Sequence, residues 1–132
     1  MNIKELAQKY RDYIIERRRY YHQHPELSLK EYETTASIRA DLEAIAAESS
    51  GANLEIQTFE DYPGLTALLD TGKPGKTILL RADIDALPIQ ECTGLSFSSQ
   101  NPGVMHAPTL PCCWVQRRYL WNLQCLKPSA AG

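Results

Sequence analysis

Two aspartates that follow an apolar run are the residues of this chain best placed to do chemistry. Residues 77–81 are typical of a strand covered on both faces, and Asp83 and Asp85 come soon after it. Open α/β sheets bind ligands outside the carboxyl ends of their strands. Alternate residues of an extended chain share one side, where two carboxylates repel unless a cation or donors separate them. The spacing predicts a metal or substrate site, and its structural alternative is an aspartate-capped turn before Pro88.

The composition limits the class of protein. At 132 residues and 43% hydrophobic content, the chain has room for one modest domain or a part of one. A net charge of -2 provides no basic field, which argues against nucleic acid as a partner. Neither a secretory leader nor a membrane-spanning run is evident, so we expect a cytoplasmic protein with free thiols. The cysteines, which match no zinc-site spacing, are Cys92, Cys112, Cys113 and Cys125.

The periodicity predicts two helices followed by three strands. The first helix covers residues 2–24, with a capping-box spacing at its start, and the second covers residues 29–47 after a similar Ser28 and Glu31 pair. The predicted strands are residues 54–58, 65–69 and 77–81. A short glycine-rich turn at residues 70–75 predicts that the second and third strands pair as an antiparallel hairpin.

Three segments carry a resemblance to a known family. Residues 18–34 include His-Gln-His-Pro-Glu-Leu-Ser, residues 80–89 read Leu-Arg-Ala-Asp-Ile-Asp-Ala-Leu-Pro-Ile, and residues 103–107 read Gly-Val-Met-His-Ala. In this order and spacing, residues 1–107 resemble the N-terminal portion of the dinuclear-metal amidohydrolases. That family includes aminoacylase-like, hippurate-hydrolase-like and N-acetyldiaminopimelate-deacetylase-like enzymes.

The resemblance implies a fold and an activity. The fold would be α/β, a partial catalytic domain of a zinc-peptidase-like fold with two helices and then a sheet containing a β-hairpin, and its lid domain would be absent. The activity would be hydrolysis of the amide bond of N-acyl amino acids. Two divalent metal ions, zinc or manganese, lower the pKa of a shared water and polarise the carbonyl in such a site.

The same resemblance assigns roles to individual residues. Asp85 matches the family's site aspartate and is predicted to orient other groups. Asp83 falls where related peptidases carry a ligand histidine, and it is predicted to support the site; neither aspartate is predicted to be a direct metal ligand. His22 and His24 are interpreted as structural, and His106 as a neighbour of the site.

The resemblance ends after Ala107. The family continues there with Cys-Gly-His-Asp, which supplies metal ligands, whereas this chain continues with proline and carries no acid after Glu91. Read in a shifted frame, the codons for Cys-Cys-Trp-Val at residues 112–115 give Leu-Leu-Gly, as the family has. We therefore interpret residues 108–132 as an out-of-frame tail. Codons that cannot encode the family sequence in that frame would contradict this.

Three readings of the whole chain follow. The first is a catalytically incomplete part of an amidohydrolase, which by itself binds no metal and tends to form homo-oligomers or aggregates. The second is a non-catalytic binding or dimerising module derived from that family. The third is a small thiol enzyme that uses Cys112 or Cys113 with His106, although the tail supplies no acid to orient the pair.

Overall fold

The computed structural model describes residues 2–48 and 53–106, and it contains helices followed by a small sheet. No helix in these two stretches has both the length and the apolar character needed to cross a membrane. The strands β1 and β2 pair antiparallel. The elements in order are α1 (Ile3–Lys9), α2 (Arg11–Gln23), α3 (Tyr32–Glu48), β1 (Asn53–Thr58) and β2 (Leu65–Asp70).

The first predicted helix is divided in two. Its start is confirmed, because the Lys4 N–H donates to the Asn2 carboxamide oxygen at 3.0 Å, as an N-cap residue requires. At Tyr10 the backbone has φ -96° and ψ 8°, which interrupts the helical conformation between α1 and α2. The prediction of one continuous helix over residues 2–24 is therefore wrong.

The second helix begins later than predicted and is capped by another residue. Leu29 has φ 64°, in the left-handed region, so the right-handed helix cannot include it. The Glu26 carboxylate instead accepts the N–H groups of Glu33 and Thr34, at 3.2 and 2.7 Å. A negative charge at the start of a helix also favours the helix dipole. The Ser28 cap is wrong, and Glu26 replaces it from outside the helix.

A polar joint fastens α2 to α3. The Arg17 guanidinium donates to Ser37 Oγ at 2.6 Å and lies 2.7 Å from the Asp41 carboxylate. The Tyr21 hydroxyl donates to the same carboxylate at 3.2 Å. Because the groups are mostly sheltered from water and Arg17 bonds more than one of them, this joint fixes the helices more firmly than an exposed ion pair would.

The β-hairpin is attached to α3 through Thr35. Its hydroxyl donates to the Glu31 carbonyl at 2.6 Å and accepts the Gly64 N–H at 2.9 Å. Gly64 has φ 116°, a conformation that glycine adopts without a steric penalty. The turn before β2 therefore meets the first turn of α3 at a position that suits a residue without a side chain.

The predicted third strand is not present in the described part of the chain. Residues 77–81 belong to neither strand, and Ile78 and Leu79 are 62% and 73% exposed. The hairpin partner of β2 is β1, in a register that places Asn53 opposite Asp70. The prediction of a buried strand paired with β2 is therefore wrong. An apolar run forms a buried strand only beside a neighbouring strand and a covering layer.

Candidate functional site

The candidate site lies at a corner where the turn after α2 meets two later segments. The Ala86 N–H donates to the Glu26 carbonyl at 2.8 Å, and Leu27 and Ala86 form a parallel bridge. Leu87 and Met105 exchange both of their backbone hydrogen bonds, at 2.9 and 3.0 Å, in an antiparallel bridge. These bonds bring the chain on either side of Ala86 against the chain around Met105.

A second set of bonds fastens the intervening loop to the end of α2. The Gln100 N–H donates to the Gln23 carbonyl at 2.8 Å, and the Asn101 carboxamide donates to the Pro25 carbonyl at 2.7 Å. Pro25 is fully buried. Because backbone groups on both sides are paired, the motif around Pro25 serves as the base on which the loop is built.

Asp83, one of the two predicted site residues, lies at the surface. Its carboxylate accepts a hydrogen bond from the Arg81 guanidinium at 2.6 Å, and both side chains are largely exposed. A pair of this kind contributes little to stability, about 0–1 kcal/mol. Asp83 therefore has a different neighbour from Asp85, and the prediction that the two carboxylates face one shared site gains no support from their surroundings.

Asp85, the other predicted residue, is half-buried and lies near His106. The His106 ring is 2% exposed, and neither ring nitrogen has a hydrogen-bond partner of good geometry. Burial lowers the pKa of His106, and the nearby His22 lowers it further, while Asp85 opposes the change. The structure thus agrees with the interpretation of His106 as a neighbour of the predicted site aspartate.

A buried ion pair lies behind His106. His22 Nε2 is 3.1 Å from Glu91 Oε1, and the two side chains are only 2% and 3% exposed. Although loss of hydration raises the pKa of Glu91, the Ser99 N–H, the Thr93 hydroxyl and His22 together lower it to about 2. Glu91 is therefore ionised at neutral pH, inside the corner.

The other predicted structural histidine has a local role. His24 is exposed, and its Nδ1 hydrogen-bonds the Tyr20 carbonyl at 2.8 Å, which satisfies an acceptor near the end of α2. His22 is also structural in the sense predicted, since it is buried and paired. Its partner was not predicted, because Glu91 follows Pro88 in a polar loop where a single acid is ordinarily solvated.

The described residues do not fit a metal centre by themselves. Across residues 2–48 and 53–106, no group of three or more histidine, cysteine, aspartate and glutamate side chains is arranged to hold a metal ion. Three of the cysteines lie outside these residues, and Cys92 is an exposed free thiol. No catalytic step through a metal follows from this part of the chain.

Known proteins share this sequence and this fold. No family model matches the chain. An N-acetyldiaminopimelate deacetylase of Limosilactobacillus reuteri is 47% identical over 95 residues, which are 71% of this chain and 24% of the relative. Thermostable carboxypeptidase 1 of Saccharolobus solfataricus is 41% identical over 106 residues, which are 80% of this chain and 25% of the relative.

A solved structure extends the comparison to the fold. A dinuclear metal-binding peptidase of the M20 family from Bacillus subtilis superposes with a TM-score of 0.69 at 38% identity, over 83% of this chain and 28% of that chain. The helices and antiparallel sheet thus correspond to part of a metallopeptidase catalytic domain. The matched part of this chain is an amidohydrolase-like segment of the M20 family. The chain spans about a quarter of the length of the curated relatives it matches.

Proposed function

We propose that residues 1–107 are the N-terminal part of the catalytic domain of a metal-dependent N-acyl-amino-acid amidohydrolase, and that this chain is inactive by itself. The observation that carries the proposal is the buried corner at which Asp85 lies beside His106, in a chain 47% identical to a deacetylase of N-acetyldiaminopimelate. The proposed substrates are N-acyl amino acids. Zinc or manganese would supply the activated water when bound to a complete site.

The roles proposed for the two aspartates differ. Asp85 is half-buried beside an imidazole, a setting in which a carboxylate orients neighbouring groups. Asp83 lies at the surface, where it supports Asp85 only through the shared backbone. Incompleteness is proposed because the described residues include no group suited to hold a metal.

Residues 108–132 are proposed to be an out-of-frame tail that takes no part in the site. The similarity to the two curated relatives extends over 95 and 106 of the 132 residues, which leaves room for an unrelated segment of this length. The tail also lacks acidic residues, although carboxylates are among the usual ligands of zinc and manganese. Its structure lies outside the described residues.

The purified chain is expected to hydrolyse no N-acyl amino acid. With zinc or manganese added, and N-acetyl or N-benzoyl amino acids as substrates, release of the free amino acid should equal that of a protein-free blank. The reason is that too few ligands converge to activate a water. The intact deacetylase from Limosilactobacillus reuteri serves as the positive control.

Metal-dependent release above the blank would contradict the proposed inactivity. The substitution Asp85→Asn would then show whether the described corner is responsible, because it removes a charge while keeping the size of the side chain. Asp83→Asn is the matched control, because it makes the same change at the exposed aspartate.

A non-catalytic binding module is the second candidate, and the exposed apolar pair Ile78 and Leu79 favours it. An exposed extended apolar segment is a template for pairing with another chain. A tagged intact relative expressed with this chain is expected to retain it under this candidate. Loss of retention on Leu79→Lys, with Lys76→Glu as an exposed control, would identify the segment as the contact.

A further inference from the structure

Glu91 is the most enclosed carboxylate near the candidate site, and the proposed function gives it no role. Its Oε2 accepts the Ser99 N–H at 2.6 Å, and its Oε1 accepts the Thr93 hydroxyl and lies 3.1 Å from His22 Nε2. The three donors come from α2 and from two places in the loop. A single carboxylate thus joins the loop to the helix at the point where His22 enters the corner.

The arrangement requires a carboxylate and not merely a polar side chain of the same size. Both oxygens of Glu91 accept hydrogen bonds, whereas a glutamine at this position has one oxygen and one NH₂ group. Either the Ser99 N–H or the His22 N–H would then face another donor. A buried donor without a partner is unfavourable by about 1–3 kcal/mol.

The charge of Glu91 also determines the proton position on His22. An ionised carboxylate can only accept, so His22 Nε2 carries the hydrogen of their bond. His22 Nδ1 is buried and has no partner among the described residues. A second hydrogen at Nδ1 would be an unsatisfied buried donor, whereas a lone pair there is tolerated more readily. The neutral form with the hydrogen on Nε2 is therefore the one that the corner accommodates.

The surroundings of the two imidazoles connect this proton position to the candidate site. The His22 ring packs edge-on against Phe97 at 5.7 Å, and the guanidinium groups of Arg18 and Arg19 lie over the same phenylalanine. The His106 ring is influenced by His22 on one side and by Asp85 on the other. The order of charged and polar groups through the corner is Glu91, His22, His106 and Asp85.

We propose that Glu91 is a positioning residue, which holds His22 as the neutral imidazole with its hydrogen on Nε2 and so keeps His106 seated beside Asp85. The positioning of Asp85 for hydrolysis rests on the proposed function. The hydrogen placement on His22 does not, because it follows from burial and from acceptor geometry alone. Glu91 acts through His22 and needs no contact with substrate.

The test is nuclear magnetic resonance on the full chain with ¹⁵N-labelled histidine and ¹³C-labelled glutamate. In the unmodified chain at pH 7, the His22 nitrogen shifts should be those of a neutral ring protonated at Nε2. The Glu91 carboxyl signal should titrate with a midpoint near 2 instead of the ordinary 4.5. A Glu91 midpoint near 4.5, which an unfolded corner would also give, overturns the proposal.

Two variants separate positioning from space-filling. Glu91→Gln keeps the volume and removes the charge, and it should shift the His22 ring nitrogens and the His106 signals. Glu43→Gln makes the same change at an exposed ion pair with Arg39 and should leave both histidines unchanged. Unchanged His22 and His106 signals in Glu91→Gln would overturn the proposal. No turnover is measured, so this result is independent of the proposed hydrolase function.

Discussion

Replacing Glu91 with leucine is expected to lower the free energy of unfolding by about 3–5 kcal/mol, because removal of one partner leaves the other side of a buried ion pair uncompensated. His22 Nε2, the Ser99 N–H and the Thr93 hydroxyl all lose their acceptor together. Most small domains are stable by only about 5–15 kcal/mol. Urea unfolding followed by circular dichroism should therefore show a much weaker transition or none.

The control for this variant is Glu43→Leu. Glu43 pairs with Arg39 on an exposed face of α3, where such pairs contribute about 0.3–0.5 kcal/mol. Its urea midpoint should stay close to that of the unmodified chain. Equal losses for the two leucine variants would show that burial of Glu91 contributes nothing particular to the corner.

The second large effect is on acid stability. The pKa of Glu91 is lowered from 4.5 to about 2, so its contribution is fully present above pH 4.5 and disappears as the pH falls through 2. The pKa of His106 is also lowered, from 6.5, because burial disfavours its charged form. Its contribution is present above pH 6.5 and declines as the pH falls towards the lowered pKa. Stability should thus decrease in two steps during acidification.

Thermal melting between pH 8 and pH 2 measures both steps. The Glu91→Gln variant should lose the step below pH 4.5, because glutamine does not titrate, and should keep the one that begins at 6.5. The His106→Gln variant should show the opposite pattern. A melting temperature that is unchanged between pH 4.5 and pH 2 in the unmodified chain would contradict the lowered pKa of Glu91.

The helices were the part of the fold most accessible from sequence, and their ends were not. Asn2 is a favoured cap followed by a helical period, and it does cap α1. The cap of α3 comes from Glu26, seven and eight residues before the N–H groups it accepts. Local patterns pointed to Ser28 because a capping box is defined over three residues. They did not include the left-handed backbone at Leu29.

The strand prediction failed because the burial of an apolar run depends on distant chain. Residues 77–81 have the composition of a covered strand, yet Ile78 and Leu79 are exposed. Composition reports what a segment would prefer to contact, and not whether the contact is available. The β1 and β2 pair was found as elements but assigned the wrong partner, since a glycine-rich turn at residues 70–75 resembled a hairpin connection.

The candidate site was predictable in part. The motif order placed Asp85 and His106 near each other, and the structure agrees, because the bridge between Leu87 and Met105 aligns their neighbours. Glu91 was missed because its partner His22 lies 69 residues earlier in the chain. No spacing rule connects residues so far apart. The strongest interaction of the corner therefore became visible only in three dimensions.

A calorimetric titration of the full chain with manganese tests the central claim most directly. Manganese is preferable to zinc, because the cysteine thiolates of the chain would compete for zinc. The claim is that this chain carries the scaffold of an amidohydrolase site without enough ligands to assemble its metals. We expect no saturable heat from manganese binding. Saturation at two ions per chain, abolished by Asp85→Asn, would contradict the account.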